Sequence, residues 1–164
     1  MEAKAMDFRK IETSELETVV DLLDASFPIG RERIARDLKE ILKNPRANGT
    51  VYGLWLEGVL IGTATYGALY GVPSSQPDAT AWQGEGLMRY LAIHKGYQRK
   101  GYATMIIKKA IADLKKESSP FLCVAVLAEY EIGVRLFEKL GFQYYETFET
   151  DVYGTHQTYV LWFK

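Results

Sequence analysis

The stretch Leu91-Ala92-Ile93-His94-Lys95-Gly96-Tyr97-Gln98-Arg99-Lys100-Gly101-Tyr102-Ala103 decides how this chain is read. An apolar strand ends at Ile93, a basic turn punctuated by glycine spans His94–Gly101, and a helix opens at Tyr102. The first N–H groups of a helix lack internal partners and carry partial positive charge. Gly101 and Ala103 have minimal side chains, so a phosphate can approach that backbone closely. Lys95, Arg99 and Lys100 add positive charge nearby. The expected ligand is a phosphate or pyrophosphate. A helix start packed tightly on a sheet would ask for the same small residues, and that alternative stands beside it.

Two common phosphate sites do not fit. Gly96 and Gly101 match the glycine spacing of a P-loop, but Tyr102-Ala103 replaces its Lys-Ser/Thr pair, which removes the γ-phosphate contact and the magnesium ligand. A dinucleotide fingerprint needs Gly-x-Gly-x-x-Gly between a strand and a helix. Gly84-Glu85-Gly86 precedes a strand instead.

Downstream, Ala103, Ile106, Ile107, Ala110, Ile111 and Leu114 form one apolar face of a helix over Tyr102–Lys116, ended by Ser118-Ser119-Pro120. Phe121–Leu127 is apolar without alternation, as expected of a strand buried on both faces. A helix over Glu131–Leu140 stops at Gly141, and Phe142–Thr150 and Thr155–Phe163 close the chain as a hairpin around Asp151–Gly154. Upstream, Leu87–Ile93 is a strand, and Tyr70–Gly84 reads as a long loop with Gly71, Pro73 and Pro77. Thr50–Leu56 and Val59–Ala68 form a hairpin through Glu57-Gly58. A first strand, Phe8–Glu12, precedes a helix capped at Thr13 and Ser14, with Glu17 completing a capping box and Leu16, Val19, Val20, Leu23 and Phe27 inward. A second helix, Arg31–Lys43, turns Ile34, Leu38, Ile41 and Leu42 inward and stops at Asn44-Pro45. The order β-α-α-β-β-β-α-β-α-β-β implies an α/β fold with a mixed sheet and a central parallel strand pair.

The 164 residues carry 20 Lys+Arg against 21 Asp+Glu, a formal charge of −1, so no overall basic excess points to nucleic acid. The longest apolar run, Phe121–Ala128, is far short of the ~20 residues that cross a membrane. Cys123, the only cysteine, lies in that run and reads as a small buried hydrophobe in a reducing cytoplasm. Residues 1–6 are polar, lack the apolar core of a signal peptide, and are expected to be a flexible lead-in to one domain over 7–164. The expected protein is cytoplasmic, with neither membrane nor nucleic acid as partner.

Gln98-Arg99-Lys100-Gly101-Tyr102-Ala103 resembles the Gln/Arg-x-x-Gly-x-Gly/Ala signature of the GNAT superfamily of N-acetyltransferases. Leu91-Ala92-Ile93 looks like the end of that family's fourth strand, and Leu136-Phe137-Glu138-Lys139-Leu140-Gly141-Phe142 resembles its Leu-Tyr-Glu-Lys-x-Gly-Phe motif. The resemblance implies a mostly antiparallel sheet with a central parallel pair and about four flanking helices. It implies transfer of an acetyl group from acetyl-CoA, as co-substrate and without a metal, to a small-molecule or protein amine by direct attack in a ternary complex. By the same resemblance, the pyrophosphate sits on the backbone around Arg99–Thr104, and the pantetheine arm runs along Leu91–Ile93. The cofactor-binding set is therefore Leu91, Ala92, Ile93, Gln98, Arg99, Lys100, Gly101, Tyr102, Ala103 and Thr104.

An alkylamine has a pKa of about 10.4 and must lose a proton before it attacks a thioester. That calls for a base within reach and a donor for the oxyanion. Glu85, at the entry of the fourth strand, is the candidate base, and the Ile93 N–H or a neighbour is the donor the resemblance suggests. His94 in the turn and His156 in the last hairpin are the only histidines. Neither stands near a Cys- or Ser-containing motif, so a metal cluster or hydrolytic triad has no support. Many relatives protonate the leaving thiolate with a tyrosine, but its position here is Phe137. Tyr130, where the family usually has asparagine, is the candidate hydroxyl from an adjacent turn. The Phe137 departure keeps a non-catalytic acyl-CoA-binding domain open as the alternative. Glu146, Glu149 and Asp151 with Tyr144, Tyr145 and Tyr153 form an expected acidic and aromatic rim for a cationic acceptor, or equally a solvated or homodimer-forming face.

Overall fold

The computed structural model describes residues 5–69, 85–150 and 154–163, so the expected Tyr70–Gly84 loop and Asp151 and Tyr153 of the last turn lie outside the described residues. The chain runs β1 (Met6–Lys10), α1 (Leu16–Ser26), α2 (Arg31–Lys43), a single turn α3 (Pro45–Asn48), β2 (Thr50–Leu56) and β3 (Val59–Leu69). It continues through β4 (Glu85–Ile93), α4 (Tyr102–Lys116), β5 (Phe121–Leu127), α5 (Glu131–Lys139), β6 (Gln143–Thr150) and β7 (Gly154–Trp162). The strands form one sheet in the order β1-β2-β3-β4-β5-β7-β6. Every described pairing is antiparallel except β4 with β5, the central parallel pair expected from the helical crossover through α4.

The helices cover both faces because their apolar residues fall on one side of each. Val19, Val20 and Leu23 of α1 and Ile34, Leu38 and Ile41 of α2 pack on Val51, Leu60 and Ala92. Ile106, Ile107, Ala110 and Leu114 of α4, with Phe137 of α5, pack on the other face against Ile61, Ala64, Met88 and Val124. Each fully buried Leu or Ile contributes about 1.5–3 kcal/mol of apolar burial. Strand β5 lies between neighbours with Leu122, Cys123 and Val124 buried, so the lone thiol is a core group.

Three local readings need correction. Strand β1 runs Met6–Lys10, and Ile11 adds one further bond to β2, its N–H donating to the Val51 carbonyl at 3.0 Å with its side chain in the core, before the chain turns at Thr13. The expected Ser14–Glu17 capping box is displaced by one tied to Arg9. Glu15 accepts both Arg9 Nη atoms, at 2.8 and 2.7 Å, and the Glu12 N–H at 2.8 Å, shaping a 3₁₀ turn over Thr13–Glu15. Pro45 does stop α2, but it also opens α3, since proline fits the first helical position. The Glu57-Gly58 turn places both residues at positive φ, 50° and 81°, as the mirror-image hairpin turns require.

Candidate active site

Two irregularities in β4 make the site. Its ladder with β3 pairs Gly62 with Ile93 and Thr63 with Ala92, then Thr65 with Arg89, so Tyr90 and Leu91 together oppose Ala64. This is a β-bulge, and Tyr90 takes a φ of 56° in it. An extra residue exchanges the faces of everything beyond it. Met88 lies in the α4-side core, whereas Ala92 lies in the α1–α2 core with Tyr90 packed against it; Leu91 and Ile93 take the α4 side.

The second irregularity is a parting of strands. Pairing of β4 with β5 is limited to Gly86–Met88 against Leu122–Val124, while β5 stays paired to β7 as far as Leu127 opposite His156. Beyond the bulge β4 and β5 diverge and leave a crevice. His94 donates to the Ile61 carbonyl at 2.7 Å. Alternate residues of an antiparallel ladder point their N–H and C=O to opposite edges, so Ile93 turns both groups toward the crevice. Its carbonyl accepts the Gln98 side-chain amide at 3.0 Å. Gln98 thus ties the turn to the strand, and the Ile93 N–H is left facing the opening.

The turn then delivers a helix N-terminus to the same place. His94 Nδ1 accepts the Gly96 N–H at 3.1 Å and caps a 3₁₀ turn over Lys95–Tyr97, which makes His94 a structural cap. Arg99 and Gly101 both have positive φ, 62° and 86°. A Cβ on Gly101 would meet nothing within 4 Å, so its glycine answers to backbone conformation and not to close packing on the sheet. Met105 is the first residue to bond back into the helix, to the Gly101 carbonyl at 3.1 Å. The N–H groups of Tyr102, Ala103 and Thr104 therefore have no helical acceptor. Lys95, Arg99 and Lys100 are exposed around them.

The remaining candidates are distributed unevenly. Tyr130 follows β5 at the N-cap of α5, half exposed, with its ring against the Gly133 backbone; a Cβ on Gly133 would lie 2.9 Å from that ring. Phe137 is core, edge-on to Phe142 at 5.2 Å. Glu85 is the first residue of β4, opposite Leu69. It precedes the bulge by about 16 Å of extended strand, so the backbone does not bring it to the crevice. His156 stacks on Phe148 at 5.4 Å. Tyr144 and Tyr145 lie on the edge strand β6, separated from β5 by β7. The sequence reading does not single out Tyr90 and Asp37, which the fold brings together: the Tyr90 hydroxyl donates to Asp37 Oδ2 at 2.6 Å. The available signal was a carboxylate inside the Ile34-x-x-Asp37-Leu38-x-x-Ile41 apolar stripe.

A cavity of about 400 Å³ lies elsewhere, lined by Tyr52, Tyr66, Asp113 and Glu117 among others. It sits at the C-terminal end of α4, where the helix dipole and two carboxylates disfavour an anion. Its Tyr66 hydroxyl donates to Asp113 at 2.6 Å, and burial together with that carboxylate holds it protonated well above the usual tyrosine range.

Residues 16–142 match the model of the acetyltransferase (GNAT) family. The chain belongs to that family. No curated protein sequence matches this GNAT chain. Among solved structures, an N-acetyltransferase from Staphylococcus aureus superposes with a TM-score of 0.73 at 16% identity, covering 96% of this chain and 98% of that one. The ribosomal-protein-S18-alanine N-acetyltransferase of Escherichia coli gives 0.71 at 18%, covering 96% and 93%. A Salmonella typhimurium protein solved with its cofactor acetyl-CoA gives 0.71 at 12%, covering 96% and 94%. At such identities the likeness establishes a shared GNAT fold. No helix among the described residues is long and apolar enough to cross a membrane, and none of them cluster as three or more metal-ligating side chains.

Proposed function

We propose that this chain moves the acetyl group of acetyl-CoA to a primary amine by direct attack in a ternary complex. One observation carries the reading: β4 and β5 part beyond Met88 and Val124 beside a helix N-terminus whose first N–H groups have no helical acceptor. The residues fit the group. Backbone donors around Arg99–Thr104 hold the diphosphate, with open space over Gly101 and Arg99 and Lys100 adding charge. Leu91 and Ile93 on the α4 side, with the backbone at Ala92 between them, line the pantetheine arm, and Gln98 braces the turn through the Ile93 carbonyl.

When bound, acetyl-CoA would supply a thioester: the amine, having given its ammonium proton to water, would add to the carbonyl carbon, and collapse of that adduct would break the C–S bond, with sulfur keeping the electron pair and the second amine proton passing to solvent. The Ile93 N–H is aimed at the negative charge developing on the carbonyl oxygen. Phe137 offers no proton to the leaving sulfur, and Tyr130, at the N-cap of α5 three residues beyond β5, is the hydroxyl assigned that role in this reading. A thiol with a pKa near 8.5 leaves tolerably without help. The acceptor is a small molecule or a protein amine.

Gly101→Glu places a carboxylate where the diphosphate would sit. Calorimetry should show acetyl-CoA binding lost, with the thermal unfolding transition retained; undiminished affinity overturns the site. Release of free thiol in the presence of an amine panel, with the acetylated product seen by mass spectrometry, distinguishes an enzyme from a domain that only binds acyl-CoA.

A further inference from the structure

Helix α5 opens with two residues that its own formation does not favour. Tyr130 stands at the N-cap, where a short polar side chain would accept one of the free N–H groups, and its side chain makes no such bond. Gly133 follows at the third helical position, where glycine costs stability relative to alanine. Its φ is not positive, so the backbone does not ask for glycine there. One contact accounts for both residues. A Cβ on Gly133 would lie 2.9 and 3.2 Å from Cδ1 and Cε1 of the Tyr130 ring and 3.2 Å from Val126 Cγ1. The ring rests on the helix in the space that the missing Cβ leaves, and alanine there would turn it away, since carbon atoms settle at about 3.5–4.0 Å. Such departures from local preference gather where a fold carries function.

Val126 belongs to the part of β5 beyond Val124 that has left β4. Its side chain lies on the α4 side of the sheet, as do Leu91 and Ile93 across the crevice. The ring is therefore held on the side that the preceding proposal gives to the carrier. The Tyr130 backbone is fixed from both directions: its N–H donates to the Leu127 carbonyl at 2.9 Å, and its carbonyl accepts the Val134 N–H at 3.2 Å. The residue is 52% exposed, and its hydroxyl has no hydrogen-bond partner among the described residues.

We propose that Gly133 is a positioning residue: by lacking a side chain it seats the Tyr130 ring against α5, so that the hydroxyl donates a hydrogen bond to the coenzyme A sulfur as negative charge develops there. This deepens the acetyl-transfer reading and rests on it. A phenol is a weaker acid than a thiol, so the hydroxyl stabilises the departing thiolate by sharing its proton in a hydrogen bond and keeps that proton afterwards.

The bound thiol reports this without any acceptor. Thiolate absorbance of the full chain's coenzyme A complex is followed against pH, with the desulfo-coenzyme A complex as the blank for tyrosine ionisation. A donor on the thiolate should make the bound thiol about tenfold more acidic than in the Tyr130→Phe complex. Gly133→Ala should lose most of that tenfold, and adding it to Tyr130→Phe should change nothing further. Gly133→Ala should keep its thermal unfolding transition. A glycine that serves only the packing of α5 on β5 gives the opposite result, a lower unfolding temperature with the thiol's acidity unchanged, and that overturns the inference. Two arms do not depend on that variant folding. NMR of the unaltered chain should show a nuclear Overhauser contact between the Tyr130 ring and the Gly133 α-protons; its absence, or equal thiol acidity in the parent and Tyr130→Phe, overturns the inference alone. Failure of the unaltered chain to bind coenzyme A overturns the acetyl-transfer reading and this inference with it.

Discussion

The Thr65 hydroxyl is buried, 1% exposed as a residue, and has no hydrogen-bond partner among the described residues. Its neighbour Thr63, on the same face of β3, satisfies the same group by donating to the Tyr52 carbonyl at 2.7 Å. A buried unpaired hydroxyl costs about 1–3 kcal/mol. Thr65→Val keeps the β-branched shape that suits a strand and removes that cost. The variant should be more stable by about 1 kcal/mol, read as a higher urea midpoint at unchanged slope; a lower midpoint would show that the hydroxyl has a partner in solution. Legibility differs residue by residue for the same kind of reason. Gly101 was readable because a turn into a helix leaves a local pattern. Tyr90 was not, because its backbone geometry comes from a one-residue mismatch between two paired strands, which neither strand's sequence records alone.

At the scale of the element, the start of α1 shows how a long-range ion pair replaces a local cap. Ser14 and Glu17 had the spacing of a capping box, but Arg9 on β1 reaches Glu15 with both Nη atoms and the box forms two residues earlier, between Glu12 and Glu15. The helix itself, its apolar face and its end were legible from periodicity; its cap was not, since it depends on a strand that pairs elsewhere. The arrangement has a pH signature. The Arg9 hydrogen bonds, helped by the Glu12 N–H, lower the Glu15 pKa from 4.5 to about 2. In the unfolded chain that carboxyl takes up a proton near 4.5, whereas the folded one resists until about 2. Its stabilisation is therefore fully present above pH 4.5 and is lost as the pH falls toward 2. The pair is partly exposed, so the effect is screened. Melting curves of Glu15→Gln against the parent should differ by a few degrees at pH 7, with the gap closing between pH 4.5 and 2. A gap that persists unchanged at pH 2.5 would assign the loss to packing instead.

Across the whole molecule, the sheet is rigid and open in adjacent places. The alternation of strands and helices made the central parallel pair legible, because a crossover helix leaves few other ways to return to a sheet. The length of that pair was not legible, since it is set by the bulge against β3. Three paired positions hold β4 to β5, and beyond them the strand's backbone is paired with β3 and tied to the turn by the Gln98 contact. Amides of Leu122–Val124, within a strand paired on both edges and buried in the core, should exchange with solvent only on global unfolding. The Ile93 amide and those of Tyr102–Thr104 face the crevice or the free end of α4 and should exchange orders of magnitude faster. Acetyl-CoA should slow that second set selectively, by laying acceptors against those donors, and leave Leu122–Val124 limited by the same global event. If Ile93 exchanged as slowly as Leu122 without any ligand, β4 and β5 would be closed along their whole length in solution. The carrier would then have no groove to enter, and the acetyl-transfer reading would fall with it.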